Sequence, residues 1–262
     1  MIVFIMKEIR LKFLLGLVLF GLPLIHSCSD DNDYDELYAN ALVIVKPLDN
    51  GNDFFLQLDE NTALKPVNMS KAPYGNKQVR ALVNYEDIDD ADDLNGFDPN
   101  SRFKPVELNW IDSIRTKEIV HTLGEIDNIK EYGNDPLDIV RDWVTIAEDG
   151  YLTLRFRTFW GYTNIKHSLN LIYGENPNDP YEVILHHNNN GDFNERVADG
   201  IIAFDLSKLP DTNGEYVNLT LKWNSIAHRG YKSIVFKYKT RSTININSGT
   251  TLANIKYEVK VE

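Results

Sequence analysis

The chain has 262 residues and a formal net charge of −12, from 27 basic and 39 acidic side chains. Its hydrophobic fraction of 43% is sufficient to build the cores of two ordinary domains. Because phosphate backbones are bound through Lys and Arg, this acidic balance argues against nucleic acid as a partner.

Residues 1–27 have the form of a signal peptide for export. The basic residues Lys7, Arg10 and Lys12 precede an apolar run of about a dozen residues. This run is shorter than the ~20 apolar residues that a transmembrane helix needs. We therefore expect residues 1–27 to be removed from the mature protein.

The single cysteine of the chain, Cys28, follows Ile25, His26 and Ser27. This tetrapeptide resembles a bacterial lipobox, in which a branched apolar residue and a small residue precede the modified cysteine. The resemblance implies that Cys28 is acylated and anchors the chain to a membrane, since each buried CH2 of a lipid chain contributes about 0.8 kcal/mol. An acylated Cys28 leaves no thiol for a disulfide or for catalysis.

Residues 28–36 are rich in acids and form a predicted tether. Within them Ser29, Asp30, Asp31 and Asp33 resemble the export tag that directs Bacteroidota lipoproteins to the outside of the outer membrane. A run of like charges is hydrated and repels itself, so it holds a folded body away from the membrane. We expect an outer-membrane lipoprotein exposed at the cell surface, with a periplasm-facing location as the alternative.

Residues 37–133 alternate between apolar and polar side chains, the period of half-buried strands. Four or five such strands suit a small barrel, and residues 118–129 fit either a helix or a last strand. The apolar positions that define the strand faces are Ala41, Val43 and Val45, then Val79, Ala81, Val83 and Tyr85, and finally Val106, Leu108 and Trp110.

Gly, Asn and Pro cluster between residues 131 and 139, and we place a domain boundary there, with a second domain over residues 134–262. The clearest local signal of this domain is a hairpin around Asp149 and Gly150, a pair suited to the positive φ angles of a type I′ turn. The predicted core positions after the turn are Leu152, Leu154 and Phe156, and the predicted outward positions are Thr153, Arg155 and Arg157.

Five further alternating segments follow at the spacing of a β-sandwich. They read HSLNLIYG, PYEVILHHN, GIIAFDLS, YVNLTLKWN and KSIVFKYK. The C-terminal segment alternates as well, and we expect it to form an edge strand through Ile255, Tyr257, Val259 and Val261.

The ordered segments DWVTIAEDGYLTLRFRTFWG, KHSLNLIYG, PYEVILHHNNNGD, IIAFDLSKLPDTNGE and LTLKW resemble the NigD-like lipoproteins, over residues 37–240. The resemblance implies an all-β fold, in which an N-terminal OB-like barrel is followed by an antiparallel β-sandwich. The family takes its name from a bacteriocin operon, which suggests an immunity or accessory role. It implies no reaction.

The sequence contains no GxSxG elbow, HExxH helix, Walker loop or GxGxxG motif. We therefore predict no catalytic residues, no cofactor and no enzymatic activity. A glycoside hydrolase is the remaining enzymatic alternative, because it needs only two carboxylates about 5 to 9 Å apart, and sequence alone does not pair the many acids present.

The sequence contains three partial metal-binding patterns, and we predict no metal site. His167 and one of His186 and His187 are able to meet on neighbouring strands, but adjacent residues of a strand point to opposite faces. The segments 87–96 and 188–195 resemble calcium loops only partly, since Ala91 occupies a ligand position in the first.

Three aromatic residues, Phe159, Trp160 and Tyr162, lie together at the end of the predicted hairpin. In a regular strand Phe159 and Trp160 point to opposite faces, so one of them faces away from the core. An exposed ring there would stack a sugar or seat a peptide, whereas the alternative is that the rings cap the sandwich. The sequence thus predicts a surface lipoprotein that binds a protein partner, with glycan binding near Trp160 as the alternative.

Overall fold

The computed structural model describes residues 38–88, 102–161, 164–192 and 196–241. Those residues form two β-structures and one helix. None of the helices in these ranges is long and apolar enough to cross a bilayer. Several predicted features lie outside the described residues: Cys28, Ser29, Asp30, Asp31, Asp33, Tyr162 and the strand over 255–261.

Five strands close the first structure into the predicted barrel. They are β1 (Ala41–Leu48), β2 (Asp53–Gln57), β3 (Ala63–Pro66), β4 (Val79–Asp87) and β5 (Phe103–Ser113). The order around the barrel is β1-β2-β3-β5-β4, in which only the β3–β5 pair is parallel. The interior is filled by alternate residues, including Val43, Val45, Ala81, Val83, Val106 and Leu108.

One predicted core position of the barrel is wrong. The β4–β5 register pairs Tyr85 with Leu108 but Asn84 with Trp110, so Asn109 forms a bulge. A bulge inserts one residue and reverses the alternation beyond it. Ile111 therefore packs against the barrel core in place of Trp110.

The second structure is a sandwich of two sheets. Its elements are β6 (Thr116–Glu118), β7 (Val120–His121), α1 (Glu125–Tyr132), β8 (Asp138–Val140), β9 (Ile146–Glu148), β10 (Tyr151–Trp160), β11 (Ser168–Tyr173), β12 (Glu182–Asn188), β13 (Arg196–Asp205), β14 (Val217–Ser225) and β15 (Gly230–Tyr238). Sheet one has the order β6-β13-β10-β8, with β9 also paired to β10, and sheet two has the order β15-β14-β12-β11-β7. Most pairs are antiparallel, and the parallel ones are β6–β13, β7–β11 and β12–β14.

The hairpin prediction is confirmed. Asp149 and Gly150 have φ angles of 49° and 76°, and β9 pairs with β10 directly across them. Leu152, Leu154 and Phe156 lie in the sandwich core as predicted.

The opposite face of β10 is only partly as expected. Arg155 and Arg157 face outward, but Thr153 is fully buried. Thr153 is buried because the barrel covers this part of sheet one, where the Arg80 Nε donates to Thr153 Oγ1.

Residues 116–132 hydrogen bond and pack with the sandwich, whereas the predicted domain boundary at residue 133 assigns them to the barrel. β6 joins sheet one beside β13, and β7 joins sheet two beside β11. The ambiguous segment 118–129 thus contains both strand and helix. The chain passes from one structure to the other through two residues, Ile114 and Arg115, that separate β5 from β6.

Gly200 marks a position where the sandwich core admits no side chain. It pairs with Phe156 across β10 and β13, and an added Cβ would lie 2.6 Å from the Phe156 Cζ. We expect Gly200→Ala to lower the free energy of unfolding by about 1–3 kcal/mol, because the ring must leave its packed position. Chemical denaturation followed by fluorescence measures this change.

Gly230 provides the matched control for that substitution. It also lies in a strand, and nothing is within 4 Å of its ideal Cβ. Gly230→Ala should leave the free energy of unfolding unchanged or raise it by up to about 1 kcal/mol, since alanine restricts the unfolded chain. Equal effects of the two substitutions would contradict the packing argument.

Candidate functional site

The barrel sits on the outer face of sheet one. Leu42 and Ile114 of the barrel side pack with Ala203 of β13, and all three are buried. The linker residues Ile114 and Arg115 are hydrogen bonded to both structures. The Ile114 amide donates to the Arg80 carbonyl of the barrel at 2.8 Å, and the Ala203 amide of the sandwich donates to the Arg115 carbonyl at 3.0 Å. These contacts fix the barrel against the sandwich.

Arg80 carries a positive charge into this junction. Its side chain has no exposed surface, and its Nη2 forms an ion pair with Glu148 of β9. Its guanidinium Cζ lies 5.9 Å from the centre of the Tyr151 ring. Burial lowers the pKa of Arg80, and the Glu148 carboxylate opposes that shift. Among the described residues, the Arg80 Nη1 has no hydrogen-bond partner.

Beside this junction lies a cleft of about 600 Å³ between the two structures. The barrel contributes β1, β2 and the residue before β4. The sandwich contributes the hairpin turn, the end of β13 with the segment after it, and the end of β15 with the residues after it. Its lining residues are Lys46, Pro47, Leu48, Phe55, Gln57, Gln78, Gly150, Asp205, Ser207, Leu209, Asp211, Tyr238, Thr240 and Arg241. Ligand sites occur preferentially at such domain interfaces.

Two cations, Lys46 and Arg241, and two carboxylates, Asp205 and Asp211, line this cleft, and Asp149 adjoins it in the hairpin turn. Burial and the neighbouring charge of Arg241 lower the pKa of Lys46 to about 8, while Asp149 opposes this. Burial raises the pKa of Asp149 to about 6, against the opposing charges of Arg80, Arg241 and Lys46. Arg241 donates from Nε to the Asp149 main-chain oxygen at 2.8 Å, and its guanidinium lies 4.5 Å from the centre of the Tyr151 ring.

His167 and His187, which the sequence placed on neighbouring strands, meet near the C-terminal end of β10. His167 Nδ1 lies 3.0 Å from His187 Nε2, and His167 Nε2 lies 3.3 Å from Asp192 Oδ2. His186 points to the opposite face, as expected of adjacent strand residues, and its Nδ1 donates to the Gly133 carbonyl at 2.6 Å. Only one of the neighbouring histidines thus joins His167.

The main-chain carbonyl of Asp135 sets the direction of the hydrogen bond between the two imidazoles. His187 Nδ1 faces the Asp135 carbonyl, which only accepts, so His187 Nε2 accepts from His167 Nδ1. His167 Nε2 then faces the Asp192 carboxyl group, and both side chains are almost fully buried.

The aromatic residues singled out in the sequence border this network. The Trp160 ring stacks on His167 with centroids 4.3 Å apart, and its Nε1 donates to the Ala198 carbonyl at 2.8 Å. One face of Trp160 is thereby covered by the imidazole. Phe159 points to the opposite side of the strand and is 37% exposed, and Tyr162 lies outside the described residues.

Neither calcium-like segment is fully described, since residues 89–96 and 193–195 lie outside the described ranges. Of the part that is described, the Asp192 carboxylate accepts from the Gly161 amide at 2.7 Å and faces His167. Within the described ranges, no group of three or more His, Cys, Asp or Glu side chains is arranged to hold a metal ion.

Sequence reasoning missed the cleft, because its residues come from six separate segments of the chain. One local signal was present. Lys46 directly follows the apolar run ALVIV within β1, and Arg80 lies between Val79 and Ala81 of β4. A charge within a run of buried strand residues is uncommon unless a partner or a function compensates for it.

Comparison with known proteins places the two structures in one family. Residues 42–114 match the NigD-like N-terminal OB domain, and residues 118–238 match the NigD-like C-terminal beta sandwich domain. The chain belongs to the NigD-like family. The match confirms the predicted family and the predicted all-β fold, an OB barrel followed by a β-sandwich.

Solved structures agree with this assignment. A protein from Parabacteroides distasonis, described as toxin-related, is 32% identical to this NigD-like chain, with a TM-score of 0.61 and coverage of 76% of this chain and 92% of the other. A Bacteroides vulgatus protein of unknown function has 22% identity, a TM-score of 0.59 and coverage of 76% and 89%. A NigD-like immunity protein from Bacteroides caccae has 18% identity, a TM-score of 0.52 and coverage of 74% and 90%, which shows the fold alone. No curated protein sequence matches the chain.

The buried histidine pair predicts a pH dependence of stability. Burial lowers the pKa of His187 from 6.5 to about 4, with a further contribution from the charge on His167, while Asp135 opposes the shift. The unfolded chain then binds a proton between pH 6.5 and 4 that the folded chain does not bind. The contribution of neutral His187 to the free energy of unfolding is therefore fully present above pH 6.5, and it is lost as the pH falls toward 4.

We expect His187→Asn, which keeps a donor for the Asp135 carbonyl, to remove this dependence. Asp149 acts in the opposite direction below about pH 6, but it is present in both proteins and cancels in the comparison. Between pH 6.5 and 4 the free energy of unfolding of the wild type should fall by up to about 3 kcal/mol more than that of the variant. Urea denaturation at each pH measures it, and the exposed His228→Asn is the control. If the free energy of unfolding changes with pH in the same way for the wild type and for His187→Asn, the role of His187 is refuted.

Proposed function

We propose that this NigD-like protein is a lipoprotein displayed at the cell surface, where it binds a partner protein and catalyses no reaction. The proposed setting is bacteriocin immunity or an accessory role beside it. This setting is supported by the family, and by the description of the 32% identical Parabacteroides distasonis protein as toxin-related.

The single observation that supports a binding role is the cleft between barrel and sandwich. It is built from both structures, and its position depends on a junction that is closed by buried side chains. Its lining offers amide, hydroxyl and charged groups beside the aromatic rings of Phe55 and Tyr238. Polar groups of this kind among apolar surfaces give a site orientation and specificity.

The proposed location is supported by the sequence before the barrel. The lipobox-like residues ending in Cys28 imply an acyl anchor. Ser29, Asp30, Asp31 and Asp33 then match the form of a surface-export tag, and the acidic tether over 28–36 gives the body distance from the membrane.

We expect Cys28→Ser to abolish membrane attachment, because the thiol that carries the lipid is lost. The wild-type chain should incorporate a fatty-acid label and sediment with the outer membrane, and the variant should do neither. Asp30, Asp31 and Asp33 replaced together by Asn form a second variant. It should keep the lipid but lose accessibility to protease added to intact cells. A Cys28→Ser chain that still incorporates fatty acid would contradict the anchor.

A partner should be captured from the cleft. A photo-crosslinking amino acid at Ser207, an exposed residue of the cleft lining, is expected to attach one recurrent cell-envelope protein in intact cells after irradiation. The matched control is Lys104, which is exposed on strand β5 of the barrel and is not among the cleft residues. Deletion of the protein should change sensitivity to a bacteriocin or the state of the captured complex.

Two outcomes would count against this proposal. The first is that the crosslinkers at Ser207 and Lys104 capture the same proteins and that the deletion strain keeps its bacteriocin sensitivity. This result would contradict partner binding at the cleft. Saturable binding of a glycan that is lost on substitution of Phe159 or Trp160, with no protein captured, would favour the glycan-binding alternative near those rings.

A further inference from the structure

We infer that a cavity on the outer face of sheet two binds a primary ammonium group, of the kind that a lysine side chain or a small free amine carries. Its hydrogen-bond acceptors are the imidazole of His186 and the carboxylates of neighbouring glutamates. This site is separate from the cleft between barrel and sandwich, with which it shares no residue, and the inference goes beyond the partner binding proposed for that cleft.

The cavity has a volume of about 280 Å³ and lies where α1 packs on β11 and β12. One side is formed by β12. Because Val183 and Leu185 of this strand lie in the sandwich core, the alternate residues Glu182, Ile184 and His186 point to the opposite face. The other sides come from α1 (Glu125 and Asn128), from the loop after β11 (Glu175, Asn176 and Pro177) and from Lys222 of β14.

His186 brings an unused acceptor to this cavity. The side chain is almost fully buried, and its Nδ1 donates to the Gly133 carbonyl at 2.6 Å. Because a carbonyl only accepts, the proton of the neutral ring is on Nδ1 and Nε2 keeps its lone pair. Among the described residues, no group donates to Nε2. A buried acceptor without a donor is costly, so a donor that enters the cavity would be stabilised there.

Glu175 is held in place by donors that leave its charge uncompensated. Its Oε2 accepts from the Thr122 hydroxyl, and also from Asn128 Nδ2 at 2.9 Å. These bonds attach the carboxylate to the start of α1, where Glu125 lies one turn before Asn128 on the same face of the helix. Within the described ranges, Glu175 Oε1 has no hydrogen-bond partner.

Negative charge exceeds positive charge around the cavity. Glu182 is paired, since its Oε2 lies 2.8 Å from Lys222 Nζ. In the part of the chain that the structure describes, Glu125 and Glu175 form no ion pair. Burial raises the pKa of Tyr231, and the charges of these two glutamates raise it further against the effect of its hydrogen bond. The two carboxylates thus act on one region, where a cation would be stabilised.

The arrangement of acceptors favours an ammonium over other cations. No three His, Cys, Asp or Glu side chains of the described residues are arranged to hold a metal ion. A guanidinium presents its five donors in one plane, whereas the acceptors here come from different sides of a cavity of about 280 Å³. An ammonium is compact, and its three donors point in different directions. Its hydrogen bonds to carboxylates are about twice as strong as neutral ones.

The test uses the full-length protein in detergent micelles and two capped tripeptides, acetyl-Ala-Lys-Ala-amide and the same peptide with an acetylated lysine side chain. Binding is followed by saturation-transfer NMR on the peptides at about 0.15 M salt, where long-range attraction to the acidic chain is screened. We expect the lysine peptide to bind about tenfold more tightly, a difference of about 1.4 kcal/mol, because acetylation removes the charge and two of the three donors.

Glu175→Gln should reduce this ratio toward one, because glutamine keeps an oxygen for Thr122 and Asn128 but carries no charge. Glu131→Gln is the matched control, since Glu131 is an exposed acid of α1 that does not line the cavity, and it should keep the tenfold preference. Circular dichroism establishes that each variant is folded. As a measurement that needs no variant, the lysine peptide should shift the nitrogen NMR resonance of His186 Nε2, and the acetylated peptide should not.

Equal binding of the two peptides, or a preference that survives in Glu175→Gln, would overturn the inference. An arginine peptide that binds more tightly than the lysine peptide would overturn the ammonium assignment. Competition with putrescine then distinguishes the two sources of the group. Tighter binding of the lysine peptide would support a protein side chain as the ligand, and tighter binding of putrescine would support a free amine.

Discussion

The arrangement of the whole protein depends on one buried charge, the guanidinium of Arg80. A charge without exposed surface is costly unless it is paired and hydrogen bonded. Arg80 meets Glu148 and Thr153 only when strand β4 of the barrel lies against β9 and β10 of the sandwich. We therefore regard this ion pair as setting the orientation of the two structures, while the apolar contacts of Leu42, Ile114 and Ala203 supply the burial.

The cleft follows from how the two structures meet. The junction closes where the two-residue linker and the buried apolar side chains lie, and it stays open where β1 approaches the hairpin turn and the end of β15. Lys46, Arg241, Asp205 and Asp211 line the gap, and Asp149 adjoins it. Burial lowers the pKa of Lys46 and raises the pKa of Asp149. A site made in this way requires both domains, which agrees with the joint presence of both family domains in this chain.

The histidine network stands apart from the cleft, because β10 separates them. Tyr151 begins this strand beside Arg80, and Trp160 ends it against His167. Ten residues of strand at roughly 3.3 Å each put about 30 Å between these ends. The His167 and Asp192 side chains are almost fully buried and lie against each other. His167 also stacks on the Trp160 ring and Asp192 accepts from the Gly161 amide, so these contacts hold two loops to the sandwich end.

The sequence by itself determined the alternating segments that form most of the described strands, the Asp149 and Gly150 turn, the buried face of β10 and the family. Each of these follows from local periodicity, turn chemistry or an ordered set of motifs, which a chain carries without reference to its partners. Only the tertiary structure decided that Thr153 is buried, that Ile111 replaces Trp110, and that residues 116–132 join the sandwich. It alone brought Lys46 and Arg241 to one cleft, because the meeting of residues nearly two hundred positions apart depends on how the barrel and the sandwich pack and not on any local pattern.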